Sequence, residues 1–252
     1  FETVRTSRLR GHIPYQPCMG HEDYYVHISL GCVNNCSYCN IKKAKGSVLS
    51  RTPESIEDEV RDLYKRGIRT VTLLADDCGS YGLDRGDDFT GLLTRLCAVS
   101  PELRYKIFTI FPSLFLRQAA QLEPFFTMHR VPYICLPVQS ATPRILDLMN
   151  RRYEPVDLVG AIGRLRALDP NIFVYSHFIF NFPTETWEEF EQTIVFARHF
   201  DHCVFIGYGE NKATKAAALT PKCDEKTLQK KAGHLTDLVS RGELAAFVVM
   251  SP

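Results

Sequence analysis

The sequence predicts an α/β protein, a partial (β/α)6 barrel, on three observations. Short apolar runs of strand length alternate six times with segments of helical period. Helix start signals precede several of the helical segments, and Gly67 and Gly207 punctuate where a helix or strand should end. The length of 252 residues, with 45% hydrophobic and 23% charged residues, suits one unit of barrel size with a sizeable core and excludes a disordered chain.

Residues 1–24, with Pro14, Pro17 and several charges, read as an entering linker. Strands are expected at 25–30, 70–75, 105–110, 133–138, 173–179 and 203–208, each rich in Val, Ile, Phe, Tyr or Thr. The first helix is expected over 53–66, where Thr52-Pro53-Glu54 gives a cap, a proline in the first turn and an early carboxylate, and Gly67 ends it. Helical patterns follow at 88–99 and 112–121, then at 143–150 continuing as 155–168. The next, over 185–200, is opened by Thr184-Glu185-Thr186-Trp187-Glu188. Strands in series with helices between them run parallel through right-handed crossovers. Six units rather than eight make a sheet that curls without closing, with its chemistry at the C-terminal strand ends. The barrel is expected over 25–210. Residues 211–252 form a C-terminal helical extension, with a helical pattern over 224–241 and an apolar, strand-like tail over 244–250.

Thirty Lys plus Arg against 29 Asp plus Glu leave a net charge of +1, which excludes a domain that holds nucleic acid by bulk field and an acidic solvating tail. No apolar stretch approaches the roughly 18 residues of a membrane span, and no apolar core region follows Phe1, so no membrane partner is expected. The nine cysteines are odd in number and follow no signal peptide, which favours a reduced, cytoplasmic setting over a secreted disulfide framework.

Three of the nine fall in Gly31-Cys32-Val33-Asn34-Asn35-Cys36-Ser37-Tyr38-Cys39, directly after the first strand. Three thiolates on one tight loop can grip one face of a compact metal centre. Structural zinc wants a fourth ligand and usually a second cysteine pair, which is not found nearby. A redox disulfide would leave a third thiol unexplained. A 4Fe–4S cubane with three irons on cysteine and one iron open to a chelating ligand fits best. Tyr38, just before the last cysteine, would shield it from water.

The Cys-x3-Cys-x2-Cys motif with an aromatic before its final cysteine resembles the signature of the radical S-adenosylmethionine superfamily. Further segments follow in order: Gly46 and Ser50-Arg51-Thr52-Pro53, LADDCGSYG from Leu74 to Gly82, LPVQSATPRILDLMNRRY from Leu136 to Tyr153, and FIFNFPTET from Phe178 to Thr186. The series resembles the methylthiotransferase branch, whose members place a methylthio group on tRNA adenosine or on a ribosomal-protein aspartate. The resemblance covers roughly residues 25–240, and the stretch Asp76–Asp84 stands slightly closer to the protein-modifying members.

The resemblance implies that Cys32, Cys36 and Cys39 bind the 4Fe–4S cluster and that S-adenosylmethionine chelates its open iron. One electron would split the sulfonium into methionine and a 5′-deoxyadenosyl radical for C–H activation and C–S bond formation. It implies cofactor contacts for Tyr38, Asp76, Gln139, Ser140, His177, Phe180, Asn181, Phe182 and Arg152, and a catalytic role for Asp77; Cys78, which the family rarely needs, is a catalytic candidate by its place near a strand end. Each has a plainer reading beside it. Asp76 and Asp77 would cap a turn, Gln139 and Ser140 would build one, His177 would be a core histidine, and Arg51 and Arg152 would make surface ion pairs. Asn181 stands where the family has glycine. Lys42, Lys43 and Lys45, with Arg51, form a basic run beside the cysteines that reads as a solvated face or as a contact for an acidic substrate or a phosphate. Cys78 and Cys135 lie at or near strand ends and Cys18 in the linker, where a thiol would reach substrate or a second iron–sulfur cluster, or fill core space. Cys97, Cys203 and Cys223 read as structural. Full-length methylthiotransferases carry an N-terminal domain with a second cluster and a small C-terminal β-barrel, neither of them evident here in full. Partners implied are a protein, tRNA or small-molecule substrate and an electron donor such as flavodoxin or ferredoxin. A stand-alone radical enzyme acting on a small molecule or peptide, or a non-catalytic metal-binding module, are the competing readings.

Overall fold

The computed structural model describes residues 24–222 and 224–250. The linker expected over 1–24, apart from Tyr24, and the residues Cys18 and Cys223 lie outside them. In chain order the elements begin with β1 (Tyr24–His27), β2 (Ser29–Leu30), α1 (Ile41–Lys45), β3 (Leu49–Ser50), α2 (Pro53–Lys65) and β4 (Thr70–Leu74). There follow α3 (Phe89–Val99), β5 (Arg104–Ile107), α4 (Pro112–Thr127), β6 (Tyr133–Cys135), α5 (Pro143–Leu148) and α6 (Pro155–Leu168). The last are β7 (Phe173–Phe180), α7 (Trp187–Ala197), β8 (His202–Gly207), α8 (Glu225–Ser240) and β9 (Ala246–Val249).

Seven strands form one sheet in the order β1-β4-β5-β6-β7-β8-β9, and every neighbouring pair is parallel. Chain order and spatial order coincide, as crossovers of one hand require. The α/β fold with a parallel, barrel-like sheet is as expected, with one strand more. The apolar tail pairs with β8 from Cys203↔Ala246 to Ile206↔Val249, so the C-terminal helix and strand extend the sheet. Between β1 and β4 a short antiparallel hairpin, β2 with β3, closes the neck of a long excursion that contains α1. The expected helix 143–168 is two helices, because Asn150 takes a left-handed φ of 57° after α5.

The start signal at Thr52 acts as read, its side chain accepting from Ser55 N–H; the helix expected from 185 begins instead at Trp187, where Thr186 and Glu189 complete a reciprocal capping box, each cap worth about 1 kcal/mol.

Side chains alternate along each strand and so build two apolar faces. The outer face carries Val71, Leu73, Tyr105, Ile107, Val174, Phe178, Phe180 and Phe205 and packs under helical residues such as Ile56, Val60, Leu96 and Phe115. The inner face gathers Tyr25, Tyr133, Cys135, Tyr175 and Val204, with Phe108, Phe173 and Phe247 against them. Its rings run across the strands. Tyr133 stacks on Tyr175 at 6.3 Å, Tyr175 on His202 at 6.0 Å, and His202 meets Phe247 at 4.6 Å.

One buried ion pair ties α8 to the end of β7. Lys231 Nζ lies 2.7 Å from Glu185 Oε2, with 1% of each side chain exposed, and the same oxygen accepts from Asn181 N–H at 2.7 Å. Removing one member strands the other charge in the core. Lys231→Met is expected to cost about 3–5 kcal/mol in urea unfolding, and the double substitution Glu185→Gln/Lys231→Met to recover most of it.

Candidate metal and cofactor site

The three clustered cysteines lie on the excursion between β2 and β3, above the C-terminal ends of the strands. Gly31 opens it with φ of 78°, and a Cβ there would stand 2.3 Å from the Ser47 carbonyl oxygen, so the two limbs of the excursion meet where only glycine fits. Asp76, just beyond β4, holds both limbs. Its Oδ2 accepts from Gly31 N–H at 2.9 Å and its Oδ1 pairs with Lys45 at 2.7 Å.

Asp77 holds the loop from beneath. Its carboxylate accepts from Gly79 N–H (3.1 Å), Phe111 N–H (3.0 Å), Ser80 Oγ (2.7 Å) and Asn34 Nδ2 (2.8 Å). Burial pushes its pKa up, and those four donors oppose the shift. From the other side come residues between α5 and α6. Ser37 N–H donates to the Met149 carbonyl at 2.9 Å, and Asn150 Nδ2 to the Asn35 carbonyl at 2.7 Å. Arg151 Nη1 reaches Cys36 Sγ at 3.5 Å and Tyr38 OH at 3.2 Å, Nη2 donates to the Pro137 carbonyl, and the guanidinium lies 4.0 Å over the Phe111 ring.

Each of the three sulfurs therefore faces an N–H donor: Asn34 Nδ2 on Cys32 at 3.3 Å, Arg151 on Cys36, and the Ile41 amide on Cys39 at 3.4 Å. Two core thiols do the reverse, Cys78 donating to the Leu73 carbonyl and Cys203 to the Ala245 carbonyl. Sulfurs that accept are arranged as thiolate ligands are, with donors that stabilise charge on sulfur. Burial raises the pKa of Cys32 and Cys39, so binding a metal there would release protons. Among the described residues no three His, Cys, Asp or Glu side chains are gathered closely enough to hold one metal ion. The donor set fits a 4Fe–4S cluster on Cys32, Cys36 and Cys39.

The other candidates sort by which way they point. Tyr38 is half-buried beside the loop, its ring edge-on to Phe182 at 6.5 Å. Gln139 holds φ of 77° and is pinned to β7 through His177 carbonyl and Ile179 N–H, and its side-chain oxygen is buried with no partner among the described residues. Asn181 is alike: φ of 61°, backbone N–H on Glu185, and an orphaned buried Oδ1. The left-handed conformation at this position is held by asparagine, which tolerates it better than most side chains. Asn181 lines a cavity of about 140 Å³ with Pro183, Tyr208, Glu210 and Lys222. Two unsatisfied amide oxygens at strand ends are what a ligand would be needed to satisfy.

Several expectations are corrected. Cys78 is fully buried in the outer core, and burial pushes its thiol up to about 12, so it offers no thiolate to a substrate. Asp77, expected as catalytic, spends its carboxylate on four protein donors and acts as a joint. Phe180 falls on the outer face against Phe190, because alternation places Tyr175, His177 and Ile179 inside. Ser140 is turned inward, accepting from Thr142 N–H to shape the turn into α5. Arg152 is exposed, and its neighbour Arg151, which the motif reading passed over, is the one at the sulfurs. Arg51 is structural, donating to the His27 carbonyl and pairing with Glu59 at 2.6 Å. Asn34 and Asn150 were also missed, and Lys45, read as part of a solvated face, pairs with Asp76 instead; the clue for Asn34 was a short amide between two cysteines.

The Radical SAM superfamily profile matches residues 26–197. The tRNA-2-methylthio-N(6)-dimethylallyladenosine synthase of Caldicellulosiruptor saccharolyticus is 34% identical over 85% of this chain and 46% of its own length. The ribosomal protein uS12 methylthiotransferase of Desulfotalea psychrophila is 30% identical over 85% of this chain and 49% of its own. The chain spans about half the length of these relatives. Among solved structures, the radical S-adenosylmethionine methyltransferase TsrM of Kitasatospora setae aligns with a TM-score of 0.62 at 18% identity, covering 77% of this chain and 38% of that one. Coproporphyrinogen III oxidase of Escherichia coli aligns with a TM-score of 0.56 at 15% identity, covering 84% and 52%. Both show the fold.

His177, on the inner face, lies 3.7 Å from Cys135 Sγ, and burial lowers its pKa to about 4. Unfolded, it takes up a proton near pH 6.5; folded, it does not until about pH 4. Stability is therefore lost as pH falls through that window, by up to about 1.4 kcal/mol per pH unit from this group, and levels off below it. His177→Phe should flatten that part of the decline when urea unfolding is repeated from pH 7 to 4.

Proposed function

The chain belongs to the radical SAM superfamily, and from that premise we propose that it is the radical-generating core of an enzyme of methylthiotransferase type, forming a C–S bond on a protein or RNA substrate. The observation that carries this reading is the set of N–H donors, one on each of the three loop sulfurs, where the core thiols Cys78 and Cys203 donate instead. When bound, the 4Fe–4S cluster and S-adenosylmethionine supply the 5′-deoxyadenosyl radical that removes a hydrogen atom from the substrate.

The protein's part is to bind, orient and exclude water. Cys32, Cys36 and Cys39 hold the cluster, and Asp76, Asp77 and Asn34 fix the loop that carries them. Tyr38 and Phe182 cover it with aromatic surface. Gln139 and Asn181 present amide oxygens to the hydroxyl and amino groups of the cofactor, with the cavity beside Pro183 and Tyr208 as the apolar and polar setting for its adenosyl part. The inner face of stacked rings keeps water from the reacting centre. An electron donor of flavodoxin or ferredoxin type completes the cycle, in the reducing cytoplasmic setting that suits free thiols. No helix among the described residues is long and apolar enough to cross a membrane.

The test is anaerobic reconstitution with iron and sulfide, followed by reduction and addition of S-adenosylmethionine. About four irons per chain and release of 5′-deoxyadenosine are expected; bound zinc without cleavage would overturn the reading. Cys36→Ala should lose cluster and cleavage together. Cys78→Ala should keep both and cost about 1 kcal/mol of stability in urea unfolding, as a core thiol does.

A further inference from the structure

Arg151 is 3% exposed, yet it forms no ion pair with a carboxylate among the described residues. Its partners are a thiol, a tyrosine hydroxyl and a carbonyl, its guanidinium lies against the faces of Phe111 and Tyr153, and its Nε is buried with no partner. A guanidinium does not shed its proton, and a buried charge is tolerated when an opposite charge meets it. Tyr38 brings a hydroxyl and no carboxylate. The protein has therefore buried a cation ahead of its anion, with one fork of it already on Cys36 Sγ.

Resting on the reading of the site given above, we infer that Arg151 is the built-in counter-ion of the thiolate-ligated cluster, a positioning residue that orients Cys36 and raises the cluster's reduction potential. The reduced cluster carries one more negative charge than the oxidised one, so a fixed positive charge at a ligand sulfur favours the reduced form. Low local dielectric and an aromatic wall on one face strengthen the effect. The charge also costs little reorganisation on reduction, because the Pro137 carbonyl, Tyr38 and Phe111 hold it in place before and after.

The test is a dithionite titration of the reconstituted chain without S-adenosylmethionine, following the reduced cluster by electron paramagnetic resonance, on wild type, Arg151→Gln and Arg151→Lys. At the potential where wild type is half reduced, Arg151→Gln should show at least a tenfold lower ratio of reduced to oxidised cluster, about 59 mV. Arg151→Lys, which keeps the charge and loses the fork, should shift in the same direction by less. An unchanged ratio in Arg151→Gln overturns the inference. So does an unchanged ratio accompanied by weaker S-adenosylmethionine binding in calorimetry, which would assign the guanidinium to the cofactor's carboxylate. If Arg151→Gln fails to fold or to load iron, Arg151→Lys decides, and a potential at or above that of wild type overturns the inference. A wild type that loads no cluster defeats the functional reading itself, whereas a wild type that loads and cleaves while the variants stay unmoved defeats only this one.

Discussion

The arrangement depends on what the C-terminal end of β4 does with two consecutive carboxylates. Asp76 reaches up to both limbs of the cysteine excursion, and Asp77 faces down into the protein, joining that excursion through Asn34 to the start of α4 through Phe111 N–H. Neighbouring residues at a strand end point to opposite sides, so one dipeptide can grip a loop and the scaffold beneath it. The sulfurs, the donors that meet them and the aromatic cover all take their positions from this joint. A site built on a strand end inherits the precision of the sheet, which a free loop would not have.

The sheet sorts its cargo by face. The outer side is aliphatic and aromatic and takes the helices; the inner side is ringed with tyrosine, histidine and phenylalanine, groups that are apolar in body yet polar at the tip. Such a lining is dry enough to protect a reactive intermediate and still offers edges to a ligand. The buried Glu185–Lys231 pair performs the complementary task at the end of β7, where it fixes Asn181 in its left-handed turn from the side of α8.

Much of this was legible in the sequence. Apolar runs of strand length revealed six strands, Thr52 marked a true cap, and the cysteine spacing pointed to one loop after the first strand. The losses have physical reasons. The strand Ala246–Val249 is short and lies beyond a polar segment, so only its pairing with β8 shows that it belongs to the sheet. Arg151 and Arg152 are the same residue type side by side, and the left-handed bend at Asn150 decides which one turns inward. Phe180 and Cys78 sit in the motifs that carry the resemblance, but a motif records which residues occur and not which face they take. Gln139 and Asn181 were found, although what marks them in the structure, an amide oxygen left without a partner, depends on backbone conformation that spacing does not encode.

The excursion over residues 31–48 is fastened at Gly31, at Asp76, at Asp77 and at Met149–Arg151 by the polypeptide alone. Its conformational entropy is therefore surrendered during folding. Because all of these fastenings are contacts within one chain, a substitution at Asp76, Asp77 or Asn150 acts on the three cysteines from outside their own loop.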